Sequence, residues 1–501
     1  MTVSLENANV LIVGAGIMGS GIAQVAAQAG HTVILFDAQP DAAATAKDKL
    51  ATVFEKLVAK GKFSEQEAAQ ALCMIEPIES LDEAANVGLV IEAVIEDIEI
   101  KRCLLQQLEG IVNKDCVLAT NTSSISVTAI ANGMRHPERL VGMHFFNPVA
   151  LMKLVEVVSG LQTSSAVAES IFKLAESWGK VAVNARSIPG FIVNRIARPF
   201  YAETLALLQE QAATPAVLDS CLRAAGFRMG PCELMDLIGH DTNFAVTRSV
   251  YAANFYDKRF APSLVQQELV DGGLLGRKSG RGFYDYNQPT ETTATEFVAP
   301  ATLPSTNSLS VHGSGSVAAR FARVLEQQNC GFERIETSDW CGLQVAADQL
   351  RLTDGRPASQ LGVNVAVFDL SLTDDTDSAL AWSHSANASE QWIEDAAQWL
   401  KVLGFQPQHI DDAPGLVVAR TIAMLINEAA DAVQQGVCTE TDADAAMKLG
   451  VNYPAGPFEW LANWNAKAVI ELLDNMDSYY RGERYRVSPW LRQQSWRGSA
   501  E

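Results

Sequence analysis

From residue 9 to about residue 184, short apolar runs alternate with stretches of helical periodicity. This is the rhythm of βαβ units and predicts a parallel sheet covered by helices. The strands predicted are Val10–Val13, Thr32–Phe36, Leu89–Ala93, Val117–Thr120, Leu140–His144, Leu154–Val158 and Lys180–Val183. Between the second and third lies a long polar helical insertion, Ala42–Gly61 followed by Ser64–Leu72, larger than a simple crossover needs. At Ser187-Ile188-Pro189-Gly190 the pattern changes, and Phe191 to about Tyr256 is helical with no strand signal. Gln288 to Ser308 is rich in Thr, Pro, Ala and Ser and reads as a linker.

Beyond the linker part of the pattern returns. Pro414-Gly415-Leu416 repeats Pro189-Gly190-Phe191, and Gly456-Pro457-Phe458-Glu459 repeats Gly230-Pro231-Cys232-Glu233, at offsets of 225 and 226. Glu428 then corresponds to Glu203 and Asp444 to Asp219. Two helical units of one ancestry follow, expected to pack on each other or on a partner chain's copies. Residues 309–410 read as a worn α/β domain with a strand at Val363–Phe368. Its Gly313-Ser314-Gly315 ends with Ala318 where a dinucleotide fingerprint has its third glycine, so a flexible loop explains it better than a second cofactor site. The predicted organisation is an α/β Rossmann-type domain over 1–186, a helical substrate or dimerisation domain over 187–287, a linker over 288–308, a degenerate α/β domain over 309–410, and a second helical domain over 411–501.

A chain of 501 residues with 48% hydrophobic and 19% charged positions is that of a multidomain globular protein. No apolar run approaches the roughly 20 residues a bilayer span requires, so no membrane association is expected. A net charge of −21 disfavours nucleic acid and anionic lipid, and an anionic ligand must be met by local groups. The N-terminus carries no targeting pattern and predicts the cytoplasm. The eight cysteines form no CxxC pair and no zinc-ligand spacing, so no metal is expected.

Within this frame, Val10–Val13 leads into Gly14-Ala15-Gly16-Ile17-Met18-Gly19, a GxGxxG between a strand and an alanine-rich helix. Gly14 makes the tight turn, Gly16 lets backbone approach a pyrophosphate, and Gly19 permits helix-on-strand packing. Asp37 ends the second strand, where a carboxylate holds a ribose 2′-hydroxyl. With no Arg or Lys until Lys47, NAD is favoured over NADP. His144 ends a strand before Asn147-Pro148, and Glu156 interrupts the apolar run 154–158. A carboxylate among aliphatics needs a cation or donor, and His144 is the partner available. Taken singly, His144 suits a core histidine and Glu156 a strand end facing water.

GAGIMG, NTSS (121–124), GMHFFNP (142–148), KLVEVV (153–158), PGFIVNR (189–195), GP–EL (230–234) and GRKSGRGFYDY (276–286) together resemble the 3-hydroxyacyl-CoA dehydrogenase family, in order from about 8 to 287. The resemblance implies oxidation of an L-3-hydroxyacyl-CoA at C3, with His144 as general base oriented by Glu156 and with Ser123 and Asn194 beside the substrate oxygen and nicotinamide. It implies Glu96, Lys101, Ser123, Asn147 and Lys278 around the cofactor, and coenzyme A over the helical insertion, with Lys60 and Lys62 for its phosphates. The duplicated half resembles the form of phenylacetate breakdown, implying 3-hydroxyadipyl-CoA; 3-hydroxybutyryl-CoA in fatty acid metabolism and a non-catalytic NAD-binding relative are the alternatives. Ala419 stands where the first repeat has Asn194, so one site per chain is expected, in a homodimer or larger homo-oligomer.

Overall fold

The computed structural model describes residues 4–288, 304, 308–373, 375 and 377–498. The expected linker therefore lies outside the described residues, apart from 288, 304 and 308. The chain divides into two compact units, Met1–Arg195 with Ala432–Val451, and Ile196–Asp431 with Asn452–Glu501. A stretch of the second helical repeat is thus grouped with the first sheet.

The first unit is built on an eight-stranded sheet: β1 (Val10–Val13), β2 (Val33–Phe36), β3 (Ile75–Ile78), β4 (Leu89–Glu92), β5 (Val117–Thr120), β6 (Leu140–Phe145), β7 (Leu154–Ser159) and β8 (Val181–Arg186), in the order β3-β2-β1-β4-β5-β6-β7-β8. The central strands are buried along their whole length, as helices on both faces require. Two features depart from the sequence expectation. Strand β3 was not foreseen, because Pro77 argues against a strand; it forms the sheet edge, where a missing N–H is tolerated. The sheet is also not all parallel, since β7 pairs antiparallel with β6 and β8 runs parallel to β7. Only residues 146–153 join β6 to β7, too few for the dozen or so a parallel crossover needs. The chain reverses there and sets Glu156 directly opposite His144.

The expected insertion is a helix over Ala42–Ala59 and a second over Glu65–Cys73, the latter opened by a capping box between Ser64 and Glu67.

In the second unit a seven-stranded sheet comprises β9 (Leu309–His312), β10 (Glu333–Ile335), β11 (Gly342–Val345), β12 (Asp348–Leu352), β13 (Val365–Phe368), β14 (Ser378–His384) and β15 (Phe405–His409), ordered β10-β9-β11-β12-β13-β14-β15. Gly313-Ser314-Gly315 is the turn between β9 and the helix Ser316–Gln327, not a flexible loop. The run β13-β14-β15 repeats β6-β7-β8, antiparallel then parallel. Both helical repeats contribute to this unit and meet through a cluster of Phe200 and Phe227 with Tyr453 and Trp460.

Candidate active site

The GxGxxG turn is fixed by steric necessity. Gly14 has φ +106°, and a Cβ on Gly19 would sit 1.7 Å from the Gly14 carbonyl oxygen. Gly16 differs: a Cβ there would meet nothing within 4 Å, so the backbone faces open space. The helix that follows, Ile17–Gln28, has no side-chain cap, and Ile17 is 78% exposed. An uncapped helix start beside an open glycine is a cradle for an anion. Asp37 closes it, its Oδ2 accepting from the Ala15 N–H at 2.7 Å and its Oδ1 from the Gln39 N–H at 2.9 Å. These residues fit a dinucleotide on stereochemical grounds.

At the carboxyl ends of the strands lies a cavity of about 350 Å³ lined by Met18, Glu96, Lys101, Asn121, Ser123, His144, Phe146, Asn147 and Asn194, among others. His144 Nδ1 lies 2.5 Å from Glu156 Oε2, and Glu156 is fully buried. The other oxygen, Oε1, accepts the N–H groups of Ile192 and Val193, each at 3.0 Å. A carboxylate so placed requires Nδ1 to carry the proton and leaves Nε2 with its lone pair. The imidazole packs against Phe146, centroids 4.5 Å apart, and Phe191, 5.8 Å.

Asn194 Nδ2 donates to the Ser123 carbonyl at 3.3 Å, joining the helix start to the loop after β5. That loop is gathered by Glu96, whose Oε1 accepts from Thr122 Oγ1 (2.7 Å), the Ser123 N–H (2.9 Å) and Ser124 Oγ (3.0 Å). Burial works against the charge on Glu96, but the Thr122 hydrogen bond, the Lys101 ammonium and the loop amides outweigh it and hold its carboxyl below the usual carboxylate range. Glu96 is therefore more than a solvated residue at a helix start; Asp97 caps that helix instead.

Lys101 is buried against Glu92 Oε1 at 2.6 Å and Glu96 Oε2 at 3.3 Å. Glu92, Asn121 and Phe146 were not singled out from the sequence. Glu92 left a signal, a lone acid closing the apolar run Leu89–Ile91.

Other predicted residues are not among those lining this cavity. Lys60 and Lys62 are exposed just after the helix Ala42–Ala59. Lys278 belongs to the second unit, where it pairs with Asp241. Among the described residues no cluster of His, Cys, Asp or Glu is fit to hold a metal, and no helix is long and apolar enough to cross a membrane.

Comparison with known proteins assigns the pattern. Residues 9–188 match the 3-hydroxyacyl-CoA dehydrogenase NAD binding domain, and residues 190–286 and again 415–499 match the C-terminal domain of that family. Residues 350–414 match the 3-hydroxybutyryl-CoA dehydrogenase reduced Rossmann-fold domain. A 3-hydroxyadipyl-CoA dehydrogenase of Escherichia coli (strain K12) is 41% identical over 97% of each chain. A probable 3-hydroxybutyryl-CoA dehydrogenase of Bacillus subtilis (strain 168) is 38% identical over 57% of this chain and all of its own. The crystal structure of 3-hydroxybutyryl-CoA dehydrogenase from Escherichia coli K12 superposes with a TM-score of 0.88 at 40% identity, covering 99% of both chains. Two C-terminal domains in tandem account for the internal repeat, and the chain belongs to the 3-hydroxyacyl-CoA dehydrogenase family of NAD-dependent oxidoreductases.

Proposed function

We propose that the cavity beside His144 oxidises the 3-hydroxyl of an acyl-CoA, with His144 as general base and Glu156 as its orienting acid. The single observation that carries this is the Nδ1–Oε2 contact of 2.5 Å, which leaves Nε2 as the ring nitrogen available to the cavity. Bound NAD supplies the two-electron acceptor that conversion of a 3-hydroxyl to a 3-oxo group requires. Nε2 takes the hydroxyl proton, and the imidazolium that results is stabilised by the Glu156 carboxylate, itself held by two backbone amides. In the reductive direction Nε2–H returns that proton to the forming alkoxide. Ser123 and Asn194, tied to each other, offer a hydroxyl and an amide to the substrate oxygen. Gly14 to Gly19 and Asp37 hold the adenosine and pyrophosphate side, while Glu96, Lys101 and Asn147 line the nicotinamide side. Lys60 and Lys62 are assigned to coenzyme A phosphates and Lys278 to the cofactor.

The substrate favoured is 3-hydroxyadipyl-CoA, in phenylacetate breakdown, because the relative of that name matches this chain over 97% of both lengths. The second reading, 3-hydroxybutyryl-CoA, draws on the crystal structure of that name. We further assign the dinucleotide site to 1–186, one helical domain to 187–287 and its repeat to 411–501, with 309–410 a worn α/β domain and the enzyme cytoplasmic. Any homodimer or larger assembly is read by light scattering.

The test is NADH consumption with acetoacetyl-CoA and with 3-oxoadipyl-CoA. Turnover with at least one is expected, and a larger kcat/KM for the dicarboxylic substrate supports the first reading. His144→Gln should lower kcat by about 10²-fold or more, the usual worth of a general base. Wild-type inactivity with every acyl-CoA, or full activity of His144→Gln, sinks the respective claim.

A further inference from the structure

Glu92 closes β4 one residue behind the cavity wall formed by Ala93, Val94 and Lys101. It is fully buried, and its oxygens are filled: Oε1 accepts from Lys101 Nζ at 2.6 Å and the Val94 N–H at 2.7 Å, and Oε2 accepts from Thr120 Oγ1 at 2.6 Å. Lys101 reaches forward from it to Glu96 Oε2 at 3.3 Å. One lysine is thus shared by two carboxylates. Glu96 alone would neutralise Lys101, and burying a second acid is costly. With Glu92 present this wall carries a net negative charge, additional to that of the His144–Glu156 pair.

A nicotinamide ring bound in the cavity would meet this wall. A dinucleotide laid from Asp37 across Gly16 leads to Met18, which lines the cavity, and the hydride acceptor must meet the same carbon whose hydroxyl faces His144 Nε2. The two redox states of that ring differ by one positive charge, cationic in NAD⁺ and neutral in NADH. A fixed negative charge in a site of reduced dielectric favours the cation.

We infer that Glu92 is a positioning residue that holds Lys101 and, by adding a second negative charge behind the cavity wall, shifts the balance of cofactor binding toward oxidised nicotinamide relative to the same site without it. The inference rests on the dehydrogenase reading above. It is independent of which acyl-CoA is used.

The experiment compares binding by the full-length wild type and Glu92→Gln, with NADH titrated by its own fluorescence and NAD⁺ by competition against it. Removing one charge should raise the ratio Kd(NAD⁺)/Kd(NADH) by roughly three- to thirtyfold, from Coulomb energies at ring-to-wall separations in a partly screened site. Lys101→Gln changes the wall by one charge in the opposite sense and should lower the ratio, so either variant that folds decides the matter. Thr120→Val removes a hydrogen bond from Glu92 without changing charge and should leave the ratio unmoved. An unchanged ratio in a charge variant that folds, or equal weakening of the two cofactor forms, would reduce Glu92 to a structural role and overturn the inference. Absence of any NADH binding by the wild type would instead strike the dehydrogenase reading.

Discussion

Among the described residues two histidine–acid pairs are buried, and they differ in access. His144 opens on a cavity, and one oxygen of its partner is held by backbone while the other is free to orient the ring. His240 and Asp236, 2.7 Å apart, are both wholly buried, and Asp236 also accepts from the Phe283 and Tyr284 N–H groups and the Tyr286 hydroxyl. The second pair ties the 276–286 loop to its helix and has no room for a substrate. Asp236→Ala should therefore lower stability by about 2–4 kcal/mol through unsatisfied donors, with kcat little changed at temperatures where the variant is folded. Glu156→Gln should do the opposite: kcat falls about 10²-fold or more through loss of the oriented base, while the Kd for NADH stays near wild type. Parallel melting curves and steady-state kinetics distinguish the two. Of the residues in the cavity, His144, Ser123 and Asn194 were legible in sequence because the family resemblance carried by their strings implies a role for each. Asn121 and Phe146 were not, since an Asn after a strand and a Phe in an apolar run have many ordinary uses.

At the scale of elements, β13-β14-β15 repeats the β6-β7-β8 arrangement with an acid where the first copy has its histidine. Asp369 stands 225 residues after His144, at the end of the repeated strand. It is wholly buried and accepts the N–H groups of Val417 (2.9 Å), Val418 (2.7 Å) and Ala419 (2.9 Å). In the first copy Glu156 performs the same tethering on Ile192 and Val193, from the neighbouring strand. The acid has moved across the strand pair into the histidine's place, keeping the helix anchor and losing the base. With Ala419 in place of Asn194 as well, the second copy has neither the imidazole nor the side-chain amide of the first. Asp369→Ala should cost about 2–4 kcal/mol in denaturant unfolding because four amides, that of Leu370 included, lose their acceptor, and kcat/KM should remain within about twofold where the fold is retained. In the first sheet strand positions were largely readable from periodicity, whereas in the second only Val363–Phe368 was, and strand direction was readable in neither. A run such as Leu154–Val158 looks the same to sequence in either direction, and only the short connection before it, read against sheet geometry, gives the reversal.

For the whole molecule, the repeat is also a matching of surfaces. Glu203 binds Arg484 at 2.9 Å and Arg420 at 3.1 Å, and Glu428 binds Arg259 at 3.1 Å. Glu203 and Glu428, like Arg259 and Arg484, are separated by 225 residues, so the pairs are reciprocal, as in an isologous interface between identical subunits. Arg186 N–H to Val437 O in the first unit and Asp411 N–H to Ala212 O in the second, both 2.9 Å, obey the same offset. Each repeat thereby sets these charged groups against the matching groups of its twin. Burial raises the Glu203 carboxyl, but Arg484 and Arg420 outweigh it and hold it below the usual range. For an acid depressed in this way the stabilisation is full above about pH 4, the unfolded value, and is lost as pH falls through the lower folded value. Denaturant unfolding from pH 7 to pH 3 should show this loss, and Glu203→Gln should flatten it. Glu203→Ala takes the carboxylate from the wholly buried Arg420, leaving it only Glu210 at 3.9 Å, and from the half-buried Arg484, and should cost about 3–5 kcal/mol at neutral pH.

By itself the sequence determined the glycine turn, the acid at its far side, the helical insertion, the repeat and the family, because each is written in residues close together or in an ordered series of strings. Tertiary structure decided that Glu156 faces His144 rather than water, that Glu92 lies buried behind Lys101, that Pro77 sits in an edge strand, and that Ala432–Val451 joins the first unit. These depend on which strand lies beside which and in what direction, and such pairings join residues whose separation along the chain carries no local pattern.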